Sequence, residues 1–156
     1  MPDLTAGSRV NALDAPPTVY VQDTTAQTNI ASTSYSVGSP EVGVTFTAPT
    51  TGRVCIKVGA SMRNDAANSD RVAVTVEVFL GTSGSGTQVV APTVFRGVAS
   101  PGTASPGDYA TYGNETMVTG LTPGATYYAR CMHIKYGSGG TTVDLAMRDL
   151  LIKPAT

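Results

Sequence analysis

The chain has 156 residues, enough for one domain with a real core, and no shift in composition marks a second. A net charge of -1 with no basic run argues against binding nucleic acid by phosphate neutralisation, and no apolar run approaches the ~18 residues of a membrane span. Threonine (23) and valine (18) dominate, and only 13% of residues are charged, against roughly 25% in ordinary domains; stiff β-branched side chains suit pleated surfaces.

Residues 1–18 read as an extended arm. The start, Met-Pro-Asp-Leu-Thr, lacks the basic and apolar regions of an export signal. The segment closes on Ala15-Pro16-Pro17, which favours extended polyproline geometry and forbids a helix. Such an arm can dock on a neighbouring subunit or a larger particle. Residues 19–156 form the expected domain.

The first expected strand runs from Thr18 to Asp23, followed by a polar stretch to Ile30 and a short strand from Thr33 to Val37. Gly38-Ser39-Pro40 closes it. Val42, Val44 and Phe46 then alternate with Gly43, Thr45 and Thr47. After the turn Ala48–Gly52, residues 53–62 return with Val54, Ile56, Val58, Ala60 and Met62 on one face. Cys55, Lys57, Gly59 and Ser61 share the other. Period-two alternation of this kind marks strands with one wet side. Residues 63–70 are a polar connection. Val72, Val74, Val76 and Val78 share one face of the next strand, which ends before the flexible turn Thr82–Gly86. A weaker strand, Val89 to Phe95, is broken by Pro92. The near-repeat Ala99-Ser-Pro-Gly102 and Ala104-Ser-Pro-Gly107 makes a surface loop, and Ala110 to Thr119 is again a strand.

Gly120 to Pro154 is the clearest hairpin. In Leu121-Thr122-Pro123-Gly124 the proline presets φ and Gly124 supplies the positive φ of a type II turn. Tyr127 or Tyr128 could bond back to the chain at this corner, as tyrosines do in β-sandwiches, or be an ordinary half-buried strand tyrosine. Tyr128, Arg130, Met132, Ile134 and Tyr136 share the more apolar face, expected to point inward, so that Arg130 needs a partner or a route to water. Tyr127, Ala129, Cys131, His133 and Lys135 share the other. After Gly137–Gly140, Val143, Leu145, Met147, Asp149 and Leu151 oppose Asp144, Ala146, Arg148, Leu150 and Ile152. Pro154, with no N–H to donate, ends the pairing. Eight to ten strands without a helix predict an all-β, single-domain antiparallel sandwich, a jelly roll, carrying the N-terminal arm.

Chemistry is sparse. The sequence has no G-x-S-x-G, no G-x-x-x-x-G-K and no H-E-x-x-H. His133 is the only histidine and reads as a satisfied or exposed strand residue. Asp65, Asp70, Asp108, Asp144 and Asp149 are scattered, and the absence of tryptophan weakens the case for a sugar-cleaving cleft. Asp65, Asn68 and Asp70 could clasp a calcium ion, yet their spacing is not the EF-hand pattern, and a solvated loop is the plainer reading. Cys55 and Cys131 could pair or stay free, and with one histidine they make no zinc site. Asn114-Glu115-Thr116 matches a glycosylation acceptor that a chain without an export signal would leave unmodified. The expectation is no catalytic residue, no cofactor and no metal.

Over nearly its whole length the chain resembles small virion proteins of phages infecting actinobacteria. The matching stretches are PDLTAGSRVNALDAPPTVY, VGVTFTAPTTGRVCIKVGASMRN, GLTPGATYYARCMHI and VDLAMRDLLIKPAT. These are turn-and-strand patterns with no catalytic signature. Proteins of that kind are head-fibre, decoration or minor tail proteins, and they resemble compact jelly rolls that trimerise as C1q- and TNF-like domains do. The resemblance implies a non-enzymatic structural protein of a virion, made in a bacterial cytoplasm. Its partners would be copies of itself, as a trimer, and the major capsid protein or another virion protein. Small residues such as Gly59 and Ser61 would pack between copies. The other expectation is a tail-associated module reading a host-surface glycan or protein through loops 63–70, 82–86 and 99–109.

Overall fold

The computed structural model describes residues 13–64, 70–100 and 108–155. Within them the chain forms ten strands: β1 Val19–Asp23, β2 Gln27–Ile30, β3 Gly43–Thr47, β4 Val54–Asn64, β5 Arg71–Leu80, β6 Thr87–Val90, β7 Val98–Ala99, β8 Ala110–Val118, β9 Thr126–Tyr136 and β10 Val143–Pro154. The one helical element among the described residues is a 3-10 turn at Val94–Arg96.

All strand pairs are antiparallel, in two sheets ordered β1-β10-β4-β8 and β3-β9-β5-β6. The short β2 pairs with β10 beyond the end of β1, and β7 with β5 beyond β6. Counting each of these as a continuation, the sheets read first-eighth-third-sixth and second-seventh-fourth-fifth. That is the two-sheet double Greek key of a jelly roll. The sequence-level fold class holds.

The core lies between the sheets. Val54, Ile56, Val58, Ala60 and Met62 of β4 meet Val72, Val74, Val76 and Val78 of β5, as their alternation predicts. Gly124 takes φ 76°, and the Thr122 amide donates to the Tyr127 hydroxyl at 2.8 Å. Tyr127 also stacks on Phe46, with ring centroids 5.7 Å apart.

That corner fixes the parity of β9 and overturns the expected inward face. Tyr127, Ala129, Cys131, His133 and Lys135 are buried, and Tyr128 and Arg130 lie on the outer face. Counting apolar side chains misled because Lys135 is drawn inside by Asp70, 3.3 Å away, and because β5 is covered on both faces. Segment 91–97 crosses the outer face, where the Thr75 hydroxyl donates to the Thr93 carbonyl at 2.7 Å.

β10 departs from strict alternation as well. Its register against β4 shifts between Leu145 and Met147. The extra residue turns the odd-numbered core face (Val143, Leu145) into an even-numbered one (Leu150, Ile152), with Arg148 buried beside them. Three other boundaries differ. The polar stretch before Ile30 contains β2, an edge strand held by backbone pairing that needs no apolar pattern. Thr33–Val37 reduces to one bridge, Ser36 with His133. Val89–Phe95 splits into β6 and the 3-10 turn at Pro92, which cannot donate to a ladder.

The sandwich has two distinct ends. At one, Arg71 pairs with Tyr136 and Val143 with Asn64, so the end of β4, the start of β5 and the β9–β10 turn lie there. At the other, Leu80 pairs with Tyr127 and Val54 with Pro154. The arm root lies at this second end: the Thr50 amide donates to the Leu13 carbonyl at 3.0 Å and its hydroxyl to Asp14 at 2.8 Å. Ala155 leaves from the same end, its amide bonded to the Arg53 carbonyl at 3.0 Å. Residues 1–12 of the expected arm lie outside the described residues.

Candidate functional site

A polar pocket lies on the outer face of the second sheet, lined by described residues. Its floor is a chain of paired charges. Arg130 of β9 lies between two carboxylates, its Nε 2.6 Å from Glu77 of β5 and its Nη1 3.1 Å from Glu41. The Tyr128 hydroxyl donates to the other Glu41 oxygen. Gln88 of β6 donates to Glu77 at 2.8 Å. The guanidinium lies over the Phe79 ring, 5.2 Å from its centroid. Period-two geometry explains why these side chains meet: Glu77 and Arg130 are register partners on adjacent strands, and Tyr128 is two residues from Arg130 on the same face. Burial, then Glu41, pushes the Tyr128 phenol up to about 12. Burial works against the Arg130 cation, but Glu77 and Glu41 outweigh it and raise its pKa. Tyr128 therefore stays neutral and Arg130 charged at neutral pH.

The loop after β5 borders this floor. Thr82, Ser83, Gly84 and Ser85 line, with Glu41, Tyr128 and Arg130, an open depression of about 430 Å³. Gly84 rests directly on the guanidinium, since a Cβ there would stand 2.6 Å from Arg130 Nη1. Ser83 and Ser85 hydroxyls lie 2.8 Å apart. The sequence marked Arg130 as needing a partner and loop 82–86 as a reading surface. It could not show Glu41 and Glu77 arriving from separate strands and connections.

The other polar clusters are committed to holding loops. Asp70, buried at the far end, accepts from the Gly139 amide (2.9 Å), the Thr141 amide (2.7 Å) and the Thr141 hydroxyl (3.0 Å). Burial tends to raise its pKa, but these bonds and Lys135 win and lower it. Asp65 and Asn68, the other candidates for a calcium clasp, lie outside the described residues. Asp144 takes Arg63 at 2.7 Å and the Asn29 amide at 2.8 Å, where Asn29 has φ 58°. Asp149 covers Gly59: a Cβ at Gly59 would be 2.2 Å from its carboxylate. Gly59 therefore makes room for the Asp149 side chain of its own sheet. Cys55 and Cys131 are both free. Cys131 sits in the core and Cys55 on the outer face of the other sheet, beside Met117. Their alternation parities separate them.

His133 is neither exposed nor satisfied. It is 7% exposed, and its Nδ1 has no hydrogen-bond partner among the described residues. Burial, then the nearby Arg148 cation, lowers its pKa. Between that folded value and the unfolded 6.5, the unfolded chain binds more protons, so stability rises with pH there. The histidine's contribution is thus complete above about pH 6.5 and is lost as pH falls below it. Denaturant unfolding across pH should show this acid-side decline in the wild type. In His133→Gln the curve should stay flat until carboxylates titrate near about pH 4. Parallel curves for the two proteins would contradict the assignment.

The three loops expected to form one reading surface are split. The described flanks of two of them, Arg63, Asn64 and Asp70 of the first and Ala99 of the second, lie at the end opposite the arm root, whereas loop 82–86 lies at the arm-root end; residues 65–69 and 101–107 lie outside the described residues. Chain direction requires this, because residues 65–70 enter β5 and residues 81–86 leave it.

No protein-family model matches the chain, and no curated protein sequence does. Similar solved structures include infectious bursal disease virus Gt strain, at 14% identity and TM-score 0.48 over 99% of this chain and 36% of that one. The VP2 subviral particle of the same virus matches at 14% identity and TM-score 0.46, over 99% of this chain and 37% of the other. Its T13 viral particle matches at 13% and 0.44, over 99% and 35%. The chain thus spans little more than a third of the length of those proteins. A likeness at this level does not say what the chain does.

Proposed function

We propose that the protein is a non-enzymatic structural component of a phage particle, displayed on the capsid exterior as a decoration or head-fibre protein. It assembles with copies of itself, as a trimer, and docks on the major capsid protein or another virion protein through its N-terminal arm. The observation that carries this reading is the polarity of the sandwich. The arm root and the end of β10 share one end of the sandwich, tied down by the Leu13–Thr50 and Arg53–Ala155 bonds, and the β9–β10 turn lies at the other. A jelly roll built this way can stand on its arm with the distal loops facing outward. The sequence resemblance supports the same reading, and the carboxylates Asp70 and Asp144 are occupied by structural partners.

Because Leu13 and Asp14 are bonded to Thr50 of the body, removal of residues 1–12 should leave the described fold intact. The shortened protein should keep its circular dichroism spectrum and unfolding midpoint and lose at least about tenfold in incorporation into particles, a coupling of about 1.4 kcal/mol or more. Undiminished incorporation would refute docking by the arm. A second reading, a tail-associated module contacting a host-surface glycan or protein, is favoured by one observation, the pocket beside loop 82–85.

A further inference from the structure

We propose that the pocket between Arg130, Tyr128, Glu41 and loop 82–85 is a saccharide-binding site. It rests on the second reading only for its biological use; the binding chemistry belongs to the isolated chain wherever it sits on a particle.

The volume, about 430 Å³, falls within the ~300–1,000 Å³ of small-molecule sites and leaves room for one or two sugar rings. The lining decides the ligand class. Arg130 is already engaged by two carboxylates, so the Glu41, Glu77 and Arg130 cluster carries a net negative charge, which disfavours an anion. Both Glu41 oxygens are taken, one by Tyr128 and one by Arg130, which leaves no open carboxylate edge for a metal ion. The lining has no aliphatic wall to hold an apolar ligand; its chief apolar surface is the Tyr128 ring.

What remains is a surface where donors and acceptors alternate at short range: guanidinium, carboxylate, phenol and the Ser83 and Ser85 hydroxyls. Each sugar hydroxyl both donates and accepts, so a polyol can insert into such a chain without leaving a charged group unpaired. The Tyr128 ring offers a face for the C–H side of a pyranose. Gly84 is needed because any side chain there would collide with the guanidinium floor.

The test uses the full chain in solution, followed by backbone amide NMR. Galactose, mannose, N-acetylglucosamine and arabinose are titrated separately, with inorganic phosphate and calcium chloride as contrasting probes. At least one sugar should shift the amides of residues 82–86, Glu41, Tyr128 and Arg130 saturably, in the millimolar range, while phosphate and calcium leave them unmoved. Glu41→Gln should weaken that binding by about tenfold, since a charged acceptor is lost. Ser85→Ala, which leaves the ion pairs intact, should weaken it by about threefold or more. The proposal is overturned if no sugar shifts this set, if the shifts map elsewhere, if only phosphate or calcium binds, or if both variants bind as the wild type does. Any of these would leave the particle assignment standing, and failure to find the protein on particles would leave sugar binding standing.

Discussion

Asp23→Ala should lower the stability of the protein by about 3 kcal/mol or more, the cost of stripping the partner from a buried charge. Arg148 is 1% exposed, and its Nη2 is held by Asp23 at 2.7 Å and by the Pro40 carbonyl at 3.1 Å. Its Nε and Nη1 have no partner among the described residues, so the carboxylate carries most of the compensation. The guanidinium also packs against Gly38, where a Cβ would stand 1.6 Å from Nη1. Domains are stable by only about 5–15 kcal/mol, so the loss should be plain in urea unfolding. Arg148→Met in the Asp23→Ala background should recover much of it, because an apolar side chain of similar length needs no partner. A change within about 0.5 kcal/mol for Asp23→Ala would show that Arg148 reaches water after all.

The second large effect separates two adjacent leucines. Leu150→Ala should cost about 2–5 kcal/mol, the range for emptying a buried aliphatic site, and Leu151→Ala markedly less. Leu150 is fully buried in the core, and Leu151 is half-buried on the outer face. Alternation carried straight through from Val143 and Leu145 would give the opposite order. The two variants therefore test the register shift at Ala146 directly by their unfolding midpoints. Equal costs, or a larger one at Leu151, would mean that β10 runs without the bulge.

These two positions mark where the sequence stops being readable. The uninterrupted strands were legible: β4 and β5 place every alternating valine, isoleucine and methionine where expected, and the Pro123-Gly124 turn and the Tyr127 corner follow from local stereochemistry. Parity failed where long-range pairing overrides the apolar count. Lys135 and Arg148 are inside because Asp70 and Asp23 meet them there, and those partners come from distant segments. A bulge leaves no mark in composition, and β2 is an edge strand without an apolar pattern. The pocket was legible only in pieces. Arg130 on a strand asked for a partner, and loop 82–86 looked exposed. The convergence of Glu41, Glu77 and Tyr128 on that arginine depends on a sheet order that nothing local encodes.

The central claim, that this jelly roll is an outward-facing particle protein standing on its N-terminal end, is most directly tested by electron microscopy of particles compared with particles lacking the protein. The account predicts difference density on the capsid exterior in threefold clusters, with the Leu13–Thr50 end toward the shell and the β9–β10 turn outermost. Intact capsids with no such density, or density oriented with that turn against the shell, would contradict it.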